Sequence, residues 1–258
     1  MYEVIVVNVG TMNLVIGTWA DIERKMIKLN NKYTYAHGTR FMDNGSRNYD
    51  VAGYRLPSVT TILGRTKDDT YLKKWIADKG KKEADRIKTQ SAVRGTSMHK
   101  YLENYVLGKG YEDLTDLGQE TKRMAQKVIE VGLAPVSEYY GSEVTVYYPG
   151  LYAGSTDLVG IHNDKETIID FKQANRPKRE EWIGDYRLQA AAYAMAHDQV
   201  HGSNIEQCVI MVCTPDLYYQ EFKIDGVNLR KAKHDFLKRL DRYHELLKEE
   251  EEKPTYGS

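Results

Sequence analysis

Two apolar, β-branched-rich runs, residues 156–162 and 167–173, flank a polar turn at Asn163, Asp164 and Lys165, which predicts an antiparallel hairpin. A third strand is predicted over 138–148, entering the hairpin through Pro149 and Gly150. The continuous apolar run 208–214 and the run 217–224 predict two more. Between the hairpin and these lies a helical stretch, 182–197, in which Ala190, Ala191, Ala192, Ala194 and Ala196 allow close packing on a sheet. Upstream, Ser58 is an N-cap for a helix over 59–63. Residues 69–89 carry Leu72, Trp75, Ile76 and Ile87 on one helical side, with an interruption at Gly80. Gly95 and Thr96 are expected to cap a further helix over 97–107, and Met124, Val128 and Ile129 mark a core-facing helix over 119–132. A last helix is expected over 229–252, its acidic end frayed. Residues 28–55 alternate short aromatic strands with turn-rich pieces and predict a small hairpin. Residues 1–25 form an apolar and charged lead-in with no readable periodicity, and Met26 would serve equally well as a start.

Three successive strands, a helix and a returning strand make an α/β (α+β) fold with a central mixed sheet flanked by helices. The expected division is an N-terminal extension with a small hairpin (1–56), one domain over 57–248, mainly helical to 132 and α/β from 133, and an acidic tail (249–258). No internal repeat is present.

The hairpin carries the candidate chemistry. Asp157 falls on one strand, and Asp170 and Lys172 share one face of the next, with Ile169 and Phe171 turned the other way into a core. A carboxylate inside the run Ile168, Ile169, Asp170, Phe171 costs roughly several kcal/mol in desolvation unless a cation compensates it. Carboxylate oxygens suit magnesium or manganese, and the Phe171 carbonyl can add a further oxygen. By themselves these residues fit an ordinary same-face ion pair equally well.

Composition narrows the class. The chain has 258 residues and no apolar run of membrane-spanning length, and Glu3 stands where a secretory signal would be basic. The expectation is therefore an intracellular protein with no membrane partner, in the cytoplasm of a bacterium or a phage-infected host. Two cysteines, Cys208 and Cys213, are too few for a four-cysteine zinc or iron-sulfur site. Formal net charge is zero, which taken alone argues against a nucleic-acid partner, but the distribution is uneven. Between Arg65 and Lys100 there are eleven basic residues and five acidic ones, a local excess of six. Trp75 among Lys73, Lys74, Lys79, Lys81 and Lys82 can stack a base while the lysines neutralise phosphates, although lysine-rich helices are commonly plain solvated faces.

Two helical pairs complete the candidates. His99 and Glu103 stand four apart on one helical face, as do Gln189 and Tyr193. Packed against the hairpin, His99 would offer a nitrogen ligand, with Glu103 orienting it. Gln189 and Tyr193 would bond a phosphate or position the lysine.

In this order the pieces resemble the PD-(D/E)xK nuclease superfamily, and within it the RecB-like exonucleases related to the mitochondrial genome maintenance exonuclease and phage exonucleases. The resemblance spans about 57–214 and rests on PSVTTIL at 57–63, RGTSMH at 94–99, AGSTDL at 153–158, IIDFK at 168–172 and QAAAY at 189–193. It implies a restriction-endonuclease-like core with a helical, arch-like region over 69–95 through which single-stranded DNA threads. It makes His99, Asp157, Asp170 and the Phe171 carbonyl metal ligands, Asp157, Asp170 and Lys172 the catalytic set, and Gln189 with Tyr193 the following helix motif. It implies Mg²⁺ as cofactor with Mn²⁺ as substitute, no iron-sulfur cluster, and DNA, single-stranded or with free ends, as partner. Arg94, Lys81 and the rest of the lysine-rich helix are assigned to phosphates and Trp75 to a base. The sequence departs from the superfamily pattern at Ser155 and Thr156, where a proline would precede Asp157, and at Asp170, an aspartate in place of glutamate. The expected function is a metal-dependent DNA exonuclease, acting on single-stranded DNA or DNA ends in replication, recombination or repair, with a phage as an expected source. The alternatives are a structure-selective endonuclease or resolvase using the same site, a non-catalytic DNA-binding recombination partner, and a zinc enzyme using His99 and Glu103, which lacks a second histidine at metal spacing.

Overall fold

The structure is a computed structural model that describes residues 27–252 and, further upstream, the backbone of two short paired strands, β1 (Val6–Val9) and β2 (Met12–Val15). The rest of the lead-in, the alternative start at Met26 and residues 253–258 of the acidic tail lie outside the described residues. A two-residue strand, β3 (Lys28–Leu29), is followed by the antiparallel sheet β4 (Gly38–Asp43), β5 (Ser46–Val51) and β6 (Tyr54–Pro57), so the predicted small hairpin gains a third strand. Helices α1 (Val59–Arg65), α2 (Thr70–Lys79), α3 (Lys81–Val106) and α4 (Asp116–Lys127) come next, the last continued by a π-helical turn, Val128–Gly132. The second half is β7 (Val136–Tyr148), β8 (Tyr152–His162), β9 (Lys165–Gln173), α5 (Gly184–His201), β10 (Gln207–Cys213), β11 (Tyr219–Asp225) and α6 (Gly226–Glu251).

The main sheet has the order β11-β10-β9-β8-β7-β3 and is mixed: β10 runs parallel to β9, β3 parallel to β7, and the other neighbours are antiparallel. Helices cover both faces. On one, Ile62, Tyr152, Ile168, Ile210 and Phe236 join the buried alanines of α5 in a core built with α1 and α6. On the other, Met98, Leu102, Met124, Leu158, Ile169 and Phe171 form a core beneath α3 and α4. Residues 168 and 169 thus belong to opposite layers, as strand alternation requires. Among the described residues no helix is long and apolar enough to cross a membrane.

Local chemistry explains the helix limits. Ser58 accepts the Thr61 backbone N–H at 3.0 Å and Thr115 accepts that of Gly118 at 3.0 Å, each satisfying an N–H that a helix start leaves open. The expected caps at Gly95 and Thr96 are a correction: both lie inside the 26-residue helix α3. Thr96 satisfies its hydroxyl on the Ala92 carbonyl at 3.1 Å within the helix. Gly95 lies beside Gln173, where an added Cβ would stand 3.5 Å from its Cγ. The break falls at Gly80, with φ 79°, between α2 and α3. Trp182, expected to open α5, instead ends a 3₁₀ turn, Glu180–Trp182, ahead of it.

α5 packs closely on the sheet at Gly154. A Cβ there would stand 2.5 Å from Cε1 of Tyr193, a fully enclosed ring with no room to withdraw. Gly154→Ala is therefore expected to destabilise the fold by about 1–3 kcal/mol, read as a lower urea midpoint with an unchanged slope; a midpoint equal to wild type would show that the α5–β8 seam is looser than described.

Candidate active site

β8 and β9 are bonded from the turn outward only as far as Leu158↔Ile169. Beyond that pair β8 continues along β7, while β9 continues along β10, with Asp170 opposite Ile210. The strands part into a fork, with Asp157 on one prong and Asp170 and Lys172 on the other. Asp157 closes part of the gap by accepting the Phe171 backbone N–H through Oδ2 at 2.6 Å. In an extended strand a residue's N–H and C=O point to the same side, so the Phe171 carbonyl faces the fork as well.

His99 reaches the fork from α3. Its Nδ1 lies 3.4 Å from Asp157 Oδ1 and 3.8 Å from Glu143 Oε1. Glu143 is a residue that sequence reasoning missed. It lies in β7 between Ser142↔Leu158 and Val144↔Thr156 and so stands across from Asp157, with a left-handed φ of 53°. Ser155 donates to Glu143 Oε2 at 3.3 Å, which gives a local use to one of the residues standing where the superfamily pattern has proline. His99, Glu143 and Asp157 each offer a ligand atom within 4.8 Å of the others. Nothing in the alternation of SEVTVYY marks Glu143, because two register shifts in β7, between Val136 and Glu138 and between Tyr139 and Gly141, decide which residue of β8 it stands across from.

Burial and mutual charge set the protonation of the group. Burial pushes the Asp170 carboxyl up, the Asp157 charge adds to the push, and Lys172 only partly reverses it, leaving Asp170 at about 6. Asp170 is 1% exposed, and its Oδ2 is in contact with the Lys172 ammonium. Burial works against the charge on Lys172, yet Asp170 and Asp157 outweigh it and hold the ammonium above its ordinary value. Burial likewise opposes charge on His99, but the Asp157 charge and the contacts to Asp157 and Glu143 raise it to about 10. For Asp157 the burial penalty is exceeded by the attraction of His99 and Lys172, and it is lowered. Without a cation, the two carboxylates are thus held by a protonated imidazole and an ammonium. Carboxylate and peptide-carbonyl oxygens are donors that a hard divalent cation takes, the His99 nitrogen stands beside them, and the buried Asp170 carboxylate fits such an ion.

The remaining candidates separate into supports and surface groups. Gln189 donates to the Tyr193 hydroxyl at 2.9 Å, and Tyr193 is buried against Gly154, behind the strand. Tyr186, also missed, lies under the lysine, with Lys172 Nζ 5.3 Å from its ring centroid. Arg94 is engaged by Glu120 at 2.6 Å and Asn175 at 2.7 Å, tying α3 to α4 and to the loop after β9. Glu103 pairs with Lys100 at 3.4 Å, and the contacts expected of it at His99 are made by Glu143. Lys81 is exposed at the start of α3 and Trp75 half-buried on α2, a helix with no buried residue.

No family model matches the chain, and no curated protein matches it. Among solved structures it is similar to an exonuclease candidate from Eubacterium rectale, at 12% identity and a TM-score of 0.44, over 60% of this chain and 67% of that one. It is also similar to an alkaline exonuclease from Laribacter hongkongensis, at 15% identity and a TM-score of 0.26, over 63% of this chain and 97% of that one. These likenesses concern the path of the chain, and the chemistry of the fork is read from its own side chains.

Proposed function

We propose that the chain is a metal-dependent DNA nuclease, and specifically an exonuclease acting on single-stranded DNA or DNA ends. The observation that carries the reading is the buried Asp170 carboxylate, ion-paired with Lys172, in a fork it shares with Asp157 and His99. Asp157, Asp170, Glu143, His99 and the Phe171 carbonyl would hold Mg²⁺ or Mn²⁺, which supplies Lewis-acid neutralisation of phosphate charge when bound. Lys172, held as an ammonium by the two aspartates, is placed to stabilise the negative charge that builds on the phosphoryl oxygens and has no free electron pair to act as a base. Tyr186 shields that ammonium on one side, and Tyr193 with Gln189 fixes the strand behind it. Lys81 and its neighbours on α2 and α3 are assigned to phosphates farther along the strand, and Trp75 to a base. Arg94, bound to Glu120 and Asn175, keeps the helix that carries His99 in position.

Asp170→Asn and Lys172→Ala should each lower Mg²⁺-dependent cleavage of DNA by about 100-fold or more while leaving the circular dichroism spectrum that of wild type. Digestion of end-labelled linear and circular DNA checks this. Full activity in both purified variants would remove the fork from the chemistry, and cleavage of circles would favour an endonuclease using the same residues.

Cation binding should strengthen as pH rises from about 6 to 8. Asp170, at about 6, still holds a proton at the lower end of this range and His99, at about 10, holds one throughout it, and the cation must displace those protons to bind. Calorimetric titration with Mn²⁺ at several pH values is expected to show this slope. His99→Gln should flatten its upper part, and Glu143→Gln should weaken binding by on the order of tenfold. An affinity independent of pH in the wild-type protein would exclude His99 as a ligand.

A further inference from the structure

The loop between β9 and α5, together with the segment leading into α2, walls a second feature that the fork does not use. It is a cleft of about 630 Å³ whose lining includes Lys67, Tyr71, Arg176, Lys178, Trp182 and Tyr186. Tyr186 is common to the cleft and the fork, since the same ring lies against Lys172. The cleft therefore opens beside the centre.

Its charges are unevenly satisfied. Among the acids of the wall, Asp185 is paired with Lys67 at 3.5 Å and with Arg239 at 3.3 Å, Asp68 accepts the Thr70 backbone N–H at 2.9 Å, and Glu181 faces Arg179 at 3.8 Å. Among the described residues no carboxylate pairs with Arg176 or Lys178. Lys178 is lowered first by burial and then by the positive charges of Arg176 and Lys67. Its backbone is fixed, with the N–H donated to Gln220 at 2.6 Å and the carbonyl accepting from Gln220 at 2.9 Å. The site is thus built before anything enters it.

Trp182 organises the guanidinium groups. Arg176 and Arg179 lie 5.0 and 5.1 Å from its ring centroid. A guanidinium resting on an aromatic face keeps its N–H edge free for phosphate oxygens. Tyr71, 72% exposed, presents a second aromatic surface in the same cleft. Phosphate-binding cations interleaved with accessible rings suit a strand whose bases are free to stack, whereas a duplex keeps its bases within its own helix.

We propose that this cleft is the path of an unpaired nucleic-acid strand leading into the fork, with Arg176 and Lys178 holding a phosphate beyond the scissile one and Trp182 positioning Arg176. The inference rests on the nuclease reading above and gives its substrate a strand state and a direction of approach.

The test is binding of a labelled oligothymidylate to the full chain by fluorescence anisotropy in EDTA, so that nothing is cleaved, repeated over a range of salt. Arg176→Ala combined with Lys178→Ala is expected to raise Kd about tenfold and to reduce the magnitude of the salt slope by about 0.7, with a smaller effect on a blunt duplex of equal length. Trp182→Ala should weaken single-strand binding severalfold, and Trp182→Phe should restore it, which loss of fold would not do. Variants that bind the oligonucleotide as wild type does, from a protein that still degrades DNA, would overturn the cleft and spare the nuclease reading. Equal losses on single strand and blunt duplex would overturn the unpaired-strand assignment. A wild-type protein that neither binds nor cleaves nucleic acid would remove both.

Discussion

Asp170 is held almost out of water at the point where two strands stop pairing, and a carboxylate so placed is tolerable only when positive charge surrounds it. Each neighbouring element answers that demand. β9 supplies Lys172 two residues on, and α3 brings in His99. The second carboxylate, Asp157, would make matters worse alone, but it takes up the Phe171 N–H and the imidazole. The fork is consequently a place where like charges are kept close by the fold, an arrangement that a divalent cation relieves more fully than two monovalent side chains can. Packing elsewhere is ordinary: alanines against a sheet on one side, larger aliphatic and aromatic side chains on the other.

Much of this was legible because it is local. The strands at 156–162 and 167–173, the turn between them, the alanine-rich helix and the Ser58 cap each depend on residues close in sequence, and the structure contains all of them. The shared face of Asp170 and Lys172 follows from strand alternation alone, and their contact agrees with it. What the sequence did not disclose depends on partners far along the chain. Gly95 and Thr96 look like a helix start until the continuous helix α3, packed beside Gln173 nearly eighty positions later, is seen to run through both. Glu143 looks like any solvent-facing residue of a strand until the irregular register of β7 sets it opposite Asp157.

Electrostatic roles show the same division. His99 and Glu103 share a helical face, and that spacing made Glu103 the natural orienting partner, but the helix turns Glu103 toward Lys100 and a strand brings in Glu143 instead. Arg94 and Tyr193 lie near the centre in sequence motif and in space, yet one is a strut held by Glu120 and Asn175 and the other a buried backing for Gly154. Motif spacing pointed to residues that the fold brings near one another; which of them face the fork was decided by tertiary packing.

The unbroken course of α3 places its two ends in a fixed angular relation. Eighteen residues separate Lys81 from His99, which at 3.6 residues per turn is about five turns and about 27 Å of rise. The lysine at the start of the rod and the imidazole at the fork therefore lie on one azimuth, with Lys88 and Gly95 close to the same line. The helix acts as a ruler with aligned markings: it sets both how far from the fork the Lys81 side chain stands and on which side of the rod it is found. A single inserted residue between the two would rotate Lys81 by about 100° and put the markings out of line while leaving every contact in the fork intact.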